Sequence, residues 1–290
     1  MSDKAQSKGQ VRVGGAVGGA LLLVVRRPFS VLAWGLFTTL AGFAPLSVIA
    51  LANIPSAVAA ARSAAMAGQV TAPTLLLTHL AAAGVLAGLL AVVVLAVVDT
   101  AVYRAVLEPD NRGLFYLKLR RRELDLVGHF LAQIVLWAAL IMISALPVVW
   151  TIGLIANTMG RGLAVLVALI AAIGLGYALA ILGLRLFLAG PITFDRAEFG
   201  LASSWRMTRD RLGPIFGVAV ITGVMLWGWT YLLFAFGHLT LVSAATEWVS
   251  GPTTWRRVEL VAILALYLGV ARVLVAAPAA VICRQILPAA

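Results

Sequence analysis

Cysteine, histidine and charge are all scarce in this sequence. Cys283 is the single cysteine among 290 residues, which excludes an intramolecular disulfide and a thiolate metal cluster. The three histidines, His79, His129 and His238, do not have the spacing of metal ligands. Only 11% of the residues are charged, against roughly a quarter in soluble domains. We therefore expect no metal, no cofactor and no catalytic centre, and hence a protein that is not an enzyme.

Apolar residues, by contrast, make up 62% of the chain, and the mean hydropathy is +1.04. They occur in uninterrupted runs of the length that spans a bilayer, about 20 residues or more. The sequence therefore predicts an all-α integral membrane bundle of about six transmembrane helices with interfacial helices. The predicted spans are Phe29–Ile54, Leu75–Leu107, Leu126–Ile155, Leu163–Ala189, Pro214–Phe236 and Val258–Val281.

The segments between these spans complete the predicted fold. Residues 1–10 are polar, and we expect a disordered tail, with residues 11–290 forming a single membrane domain. Interfacial segments are predicted at 11–28, 108–125 and 195–213, and an outer loop is predicted at 237–257. The third of these segments has one helical stripe, formed by Leu201, Trp205, Thr208 and Leu212. Pro45 and Pro147 are expected to kink their helices, and Gly190-Pro191 is expected to end the fourth.

The formal net charge of +11 bears on topology. All but four of the 22 Lys and Arg residues fall on one side of the predicted membrane, the exceptions being Arg62, Arg161, Arg256 and Arg257. By the positive-inside rule, both termini are predicted to face the cytoplasm of a bacterial inner membrane. Most of the basic residues lie beside apolar runs, and no groove-reading motif is evident, so nucleic acid is not an expected partner.

Asp99 is the acidic residue deepest within an apolar run. An ionisable group inside a span is a functional hypothesis by default. The second run is 33 residues long, about 50 Å as a helix, which exceeds a hydrocarbon core of ~30 Å. We therefore expect Asp99, Tyr103 and Arg104 on turns that project beyond the core. The favoured interpretation is that Asp99 lies at the cytoplasmic border of the membrane and pairs with Arg104 or with a basic residue of a connecting segment.

Three arginines close the even-numbered spans: Arg104, Arg185 and Arg272. Two interpretations are open for them. They extend towards lipid phosphates at the membrane border, or they share a site for an anionic ligand. The basic cluster of Arg206, Arg209 and Arg211 is predicted to face anionic headgroups in the same way. The expected partners are therefore membrane lipids, together with an unidentified protein.

The same arginines suggest an internal repeat. Each precedes a proline by five or six residues, and the stretches L-L-V-V-R-R-P-F-S-V-L, L-K-L-R-R-R-E-L-D-L-V and W-R-M-T-R-D-R-L-G-P-I align around their basic ends. We predict three units, 19–110, 113–191 and 200–280, each an interfacial segment followed by a helical hairpin. In equivalent units the three arginines would lie at one depth.

The stretch L-R-L-F-L-A-G-P followed by S-S-W-R-M-T-R-D-R-L-G-P resembles the bacterial YciC-type membrane proteins. It is also similar to the membrane domain that precedes the catalytic domain in some glycerophosphoryl diester phosphodiesterases. Its most recognisable part is S-W-x-x-T-R, here Ser204, Trp205, Thr208 and Arg209. The resemblance implies a six-helix membrane domain of mostly unknown function. It does not imply hydrolase activity, because in that family the hydrolase is a separate soluble domain, and these 290 residues contain no such stretch.

The expected function is therefore non-enzymatic: an integral membrane protein that contacts lipid or partner proteins. The alternative is a small transporter or channel, which needs polar residues that converge in the middle of the membrane. Asp99, Arg185 and Arg272 are predicted near one border instead.

Overall fold

The computed structural model describes residues 11–43, 72–110, 114–117, 121–158, 160–196, 198–248 and 254–287, together with positions 59, 62, 63 and 66. Throughout these residues the regular structure is helical. The helices are α1 (Val13–Arg26), α2 (Pro28–Phe37), α3 (Ala72–Leu107), α4 (Arg121–Thr158), α5 (Arg161–Leu186), α6 (Ala189–Arg196), α7 (Leu201–Thr208), α8 (Leu212–Trp248) and α9 (Thr254–Ile286). A π-helical turn, Thr38–Phe43, extends α2, and a 3-10 turn, Leu114–Tyr116, lies between α3 and α4.

Five helical segments are long and apolar enough to cross a membrane. They are Gly88–Leu107, Arg121–Thr158, Gly162–Arg196, Leu212–Leu233 and Val261–Ile286. A sixth is counted if α1 and α2 together form one broken span. The protein is therefore a multi-pass, all-α membrane bundle, and the predicted fold class is confirmed.

The chain turns by 89° between α1 and the helix that follows it. Arg27 has a non-helical backbone at this corner, with φ −134° and ψ 53°. Pro28 is the first residue of α2, a position at which the missing N–H costs no hydrogen bond. The helix predicted at 11–28 is thus present and lies at a steep angle to α2. The rest of the first predicted span, with Pro45, lies outside the described residues.

Helix α9 is the centre of the bundle and packs against α1, α2, α3 and α8. Its closest approach is to α2. A Cβ added to Gly35 would lie 1.7 Å from the carbonyl oxygen of Ala265, and one added to Gly269 would lie 2.2 Å from that of Val31. Small residues allow two membrane helices to come this close. Gly35 and Gly269 therefore make the close packing at this crossing possible.

Several predicted boundaries are wrong, because the helices continue beyond the apolar runs. Helix α8 extends to Trp248, so much of the predicted outer loop at 237–257 is helical. Helix α4 begins at Arg121 and contains Pro147, and α9 continues through Pro278 to Ile286. A proline inside a membrane helix is tolerated where neighbouring groups satisfy the freed carbonyl. Bilayer thickness thus limits the length of the apolar run, whereas the helix itself continues beyond that run.

The break after α5 also differs from the prediction. Helix α5 ends at Leu186 and α6 starts at Ala189, so Pro191 lies in the first turn of α6. Proline fits a first turn because the N–H groups there have no helical partner. Gly190 allows a close approach to α3, since a Cβ there would lie 2.6 Å from the hydroxyl of Tyr103. The Gly190-Pro191 pair therefore begins a helix instead of ending one.

Candidate functional site

Asp99 forms an ion pair with Arg272 inside the bundle. Oδ2 of Asp99 lies 2.5 Å from Nη2 of Arg272, and the two residues belong to α3 and α9. The Asp99 residue is 4% exposed. The predicted partner is wrong, because α9 packs along α3 at this level and brings Arg272 to Asp99. The predicted position on a projecting turn stays a prediction. A charge pair enclosed by protein keeps both groups away from the apolar surroundings.

Arg104 is also buried, in a second ion pair. Its Nη2 atom contacts Oε1 of Glu123, and its Nη1 atom donates to the carbonyl oxygen of Tyr116 at 2.5 Å. Arg104 is 3% exposed, so the predicted contact of this residue with lipid is wrong. The physical reason is the early start of α4, which places Glu123 within the bundle instead of at its surface.

The loop before α4 is held tightly at this end of the bundle. Phe115 and Tyr116 have φ angles of 50° and 63°, a left-handed conformation that is costly for bulky residues. The indole N–H of Trp34 donates to the carbonyl oxygen of Phe115 at 2.7 Å, and the guanidinium of Arg27 lies 4.7 Å from the centre of the Tyr116 ring. These contacts over-determine the strained conformation. The segment predicted at 108–125 is therefore not a simple interfacial segment.

The S-W-x-x-T part of the resemblance has a structural role. The hydroxyl of Ser204 donates to the carbonyl oxygen of Arg185 at 2.6 Å. The hydroxyl of Thr208 lies 3.2 Å from the same oxygen and 2.8 Å from the carbonyl oxygen of Ser204, and its one proton is shared between these two acceptors. The Arg185 carbonyl lies at the end of α5, where helical N–H partners run out. The ring of Trp205 lies 4.4 Å from the guanidinium carbon of the same arginine. These three side chains thus fasten α7 to the end of α5.

This arrangement corrects the stripe predicted for α7. Ser204 and Thr208 form its buried face, whereas Trp205 is 44% exposed. Arg206 and Arg209 are exposed as well, and Arg211 donates to the carbonyl oxygen of Met207 at 3.0 Å. The predicted contact of this basic cluster with headgroups stays a prediction.

The three arginines of the predicted repeat lie at different distances from the ends of their helices. Arg104 and Arg185 are within one turn of the ends of α3 and α5. Arg272 precedes the end of α9 by fourteen residues, which is about 21 Å along a helix, because α9 does not end at Pro278. The predicted common depth of the three arginines stays a prediction.

The arginines nevertheless share one pattern of contact. Arg104, in the first predicted unit, contacts Glu123 in the second. Arg185, in the second, lies against Trp205 in the third. Arg272, in the third, pairs with Asp99 in the first. Each arginine therefore contacts a residue of the next predicted unit, and the arginine of the third unit contacts the first.

His129 and Cys283 are buried structural residues. Nδ1 of His129 lies 3.4 Å from Oγ1 of Thr193, which also accepts the backbone N–H of Gly200 at 3.0 Å. Cys283 is 1% exposed and lies in a buried apolar cluster with residues that include Ala16 and Leu188. Among the described residues, no group of three or more His, Cys, Asp or Glu side chains is placed to hold a metal ion.

A basic pocket lies where α1, the end of α3 and the end of α9 meet. Its volume is about 290 Å³, and its lining residues are Gly19, Leu22, Leu23, Arg26, Arg27, Ala105, Val106, Pro109, Val281 and Arg284. Three of them are arginines and none is acidic. Arg284 also donates to the carbonyl oxygen of Val106 at 3.3 Å. The pocket combines a positive rim with an apolar wall, which is the arrangement that suits an anionic amphiphile.

Sequence reasoning did not identify this pocket. Arg26 and Arg27 stand out as a basic pair before the first span, but Arg284 is more than 250 residues away in the chain. The one usable signal was that all three fall on the same predicted side of the membrane.

Searches against models of protein families, curated proteins and solved structures find no match for this chain.

Proposed function

We propose that this protein is a non-enzymatic module of the bacterial inner membrane that binds the headgroups of anionic lipids, with both termini in the cytoplasm. The observation that carries the proposal is the basic pocket, in which Arg26, Arg27 and Arg284 surround an apolar wall. Each well-placed basic residue near an anionic surface contributes about 1 kcal/mol of attraction. Membership of the YciC-type family is part of the same proposal and rests on the sequence resemblance around Ser204, Trp205, Thr208 and Arg209.

Native mass spectrometry of the full chain tests the proposal. The protein is reconstituted in bilayers of phosphatidylglycerol and phosphatidylcholine, and the lipid retained after release is identified. We expect selective retention of phosphatidylglycerol. In the double variant Arg26→Gln/Arg284→Gln the affinity falls by about tenfold or more, since roughly 2 kcal/mol of attraction is lost.

The matched control is Arg121→Gln/Arg196→Gln, which removes two exposed positive charges outside the pocket. It is expected to weaken retention only slightly. Equal retention of phosphatidylglycerol by the wild type and the double variant would contradict the proposal, and so would equal retention of the neutral and anionic lipids.

One observation favours the alternative, a small transporter or channel. The Asp99–Arg272 pair brings two charged residues together within predicted spans, which such a function requires. Proton flux into sealed proteoliposomes under an applied potential is the test. Flux that depends on the wild-type protein and disappears in Asp99→Asn would favour transport over simple lipid binding.

A further inference from the structure

The basic pocket offers hydrogen-bond donors and no side-chain acceptor. Among the described residues of its lining, the only polar side chains are the guanidinium groups of Arg26, Arg27 and Arg284. A guanidinium carries five N–H donors and no acceptor. The backbone oxygen of Val106 already accepts a hydrogen bond from Arg284, at 3.3 Å. That of Pro109 accepts one from the hydroxyl of Tyr116, at 3.2 Å. A headgroup bound here therefore has to be rich in acceptors.

The three guanidinium groups reach the pocket from two helices. Arg26 is the last residue of α1 and Arg27 follows it, whereas Arg284 lies in the last turn of α9. Contacts with the protein hold two of these groups in place, since Arg284 donates to Val106 and Arg27 lies over the Tyr116 ring. Each guanidinium is a planar fork of donors that matches the oxygens of a phosphate. A phosphate with three free oxygens therefore suits the three arginines.

A phosphomonoester is the lipid headgroup that consists of acceptors alone. It has three free oxygens and a charge of about −1.5 to −2 at pH 7. A phosphodiester headgroup has a single negative charge, and its second substituent adds donors such as glycerol hydroxyls or an ammonium group. No side chain in the described lining can accept a hydrogen bond from those donors.

The rest of the lining indicates a lipid instead of a soluble phosphate. Apart from the three arginines, the described lining is apolar. Leu22 is 46% exposed, and its neighbour Leu21 is 43% exposed, so the apolar wall continues onto the outer surface of α1. An acyl chain can follow this surface while the phosphate lies among the arginines. We propose that the basic pocket selects a lipid with a phosphomonoester headgroup, of the phosphatidic acid type, over phosphodiester lipids. This inference rests on the proposed function, since it requires that the pocket binds lipid headgroups.

A competition between two lipids tests the preference. The full chain is reconstituted in phosphatidylcholine bilayers with equal amounts of phosphatidic acid and phosphatidylglycerol of the same acyl chains, and native mass spectrometry counts each retained lipid. At about pH 7.5 we expect about tenfold more phosphatidic acid, as for one added hydrogen bond to a charged group. Cardiolipin, which has two phosphodiesters, separates total charge from a free phosphate. Retention of cardiolipin equal to that of phosphatidic acid overturns the proposal.

The charge of the headgroup is tested by pH. The second pKa of a phosphomonoester is near 6, so at about pH 5 the ratio of the two lipids should fall to about two. The arginines stay charged throughout this range. Phosphatidylglycerol is the internal reference, because titration of the protein itself would change the retention of both lipids. A ratio that does not change with pH overturns the proposal.

A matched pair of variants tests the missing acceptor. Leu22→Gln places an amide oxygen in the lining, whereas Leu21→Gln makes the same change beside it and outside the pocket. We expect Leu22→Gln to lower the ratio to about threefold, because the glycerol hydroxyls gain an acceptor, and Leu21→Gln to leave it at about tenfold. Equal ratios in the two variants overturn the proposal.

The remaining outcomes separate this proposal from the proposed function. Equal retention of the two anionic lipids by the wild type, both above phosphatidylcholine, overturns the preference and leaves the proposed function intact. If neither exceeds phosphatidylcholine, both proposals fail, and the arginines serve only the ends of their helices. Displacement of phosphatidic acid by inorganic phosphate at about millimolar concentration would show a site for a soluble phosphate and overturn the choice of a lipid.

Discussion

The inner bundle and the outer hairpin of this protein are both apolar enough in sequence to cross a membrane but differ in packing. The inner bundle is α1, α2, α3 and α9, and the outer hairpin is residues 134–182 of α4 and α5. In the apolar window of α3, 72% of the residues are buried, and in those of α4 and α5 none is. Of the described side chains in the outer hairpin, only that of Ala164 is buried. Hydropathy therefore finds both regions but does not show which of them is packed.

What separates the two regions is where charge and close-packed glycine occur. Asp99, Arg104 and Arg272 belong to the inner bundle. The glycines at its α2–α9 crossing are in backbone contact, whereas Gly153 and Gly174 of the hairpin have no atom within 4 Å of an added Cβ. In lipid, apolar side chains gain little by leaving the solvent, so packing and polar contacts determine which helices associate. The comparison leads to four predictions of decreasing size.

The largest expected effect is that of Arg104→Ala. This change leaves Glu123 buried without its cation, and breaking a buried pair costs about 3–5 kcal/mol. We expect a loss of this size in the free energy of unfolding, measured with denaturant in detergent micelles.

The control is Arg122→Ala, because Arg122 forms an exposed pair with Glu108 at the same end of the protein. Exposed pairs contribute about 0–1 kcal/mol. If the two variants lose the same free energy of unfolding, the conclusion that Arg104 is buried in a tightly packed inner bundle is wrong.

Gly35→Ala is the second prediction. Its new methyl group would overlap the carbonyl oxygen of Ala265, so α2 and α9 must separate. Overpacking of this kind costs about 1–3 kcal/mol. Gly174→Ala is the control, since alanine favours a helix by up to about 1 kcal/mol over glycine and meets nothing there. Thermal unfolding should therefore shift down in the first variant and stay level or rise in the second.

The third prediction concerns the contact of α7 with the end of α5 at Arg185. Ser204→Ala alone leaves the Thr208 hydroxyl free to turn from the Ser204 carbonyl to that of Arg185, and we expect a loss below about 1 kcal/mol. The double variant Ser204→Ala/Thr208→Val leaves that carbonyl without either donor. Its loss should exceed the sum of the single losses, and a double-mutant cycle of unfolding free energies measures the excess. Strict additivity, or an equal loss in Ser203→Ala, would show that the shared carbonyl is unimportant.

These differences mark how far the sequence alone could predict the structure. The length of the apolar runs predicts a helical membrane bundle, because a spanning segment must form all its backbone hydrogen bonds internally. It cannot predict that Asp99 meets Arg272, since the two are 173 residues apart and nothing local records which helices touch. The partner of Arg104 was missed for a local reason. Glu123 was assigned to the interfacial segment at 108–125, whereas α4 already begins at Arg121.

The Ser204 and Thr208 hydroxyls illustrate the opposite case. Their spacing of four residues places both on one face of a helix, which the sequence could have revealed. The predicted stripe included Thr208 but combined it with Leu201, Trp205 and Leu212 and left out Ser204, because it weighted apolar surface over hydroxyls. At the end of a membrane helix the last carbonyl groups lack helical N–H partners. A hydrogen bond from a nearby hydroxyl therefore determines which face is buried more strongly than apolar packing does. Polar residues near helix ends therefore deserve weight in such predictions.

The smallest expected effect is in the outer hairpin itself. Val149 and Ile173 are 67% and 65% exposed, and replacing either with alanine removes atoms that touch only the bilayer. We expect unfolding free energies within about 0.5 kcal/mol of the wild type, as for substitutions away from packed features. Leu126→Ala is the control: this residue is fully buried at the base of α4, and deleting such a side chain costs about 2 kcal/mol or more. A large loss from Val149→Ala or Ile173→Ala would mean that a second copy or a partner protein covers the hairpin. In that case the two regions differ in what they pack against, and not in whether they are packed.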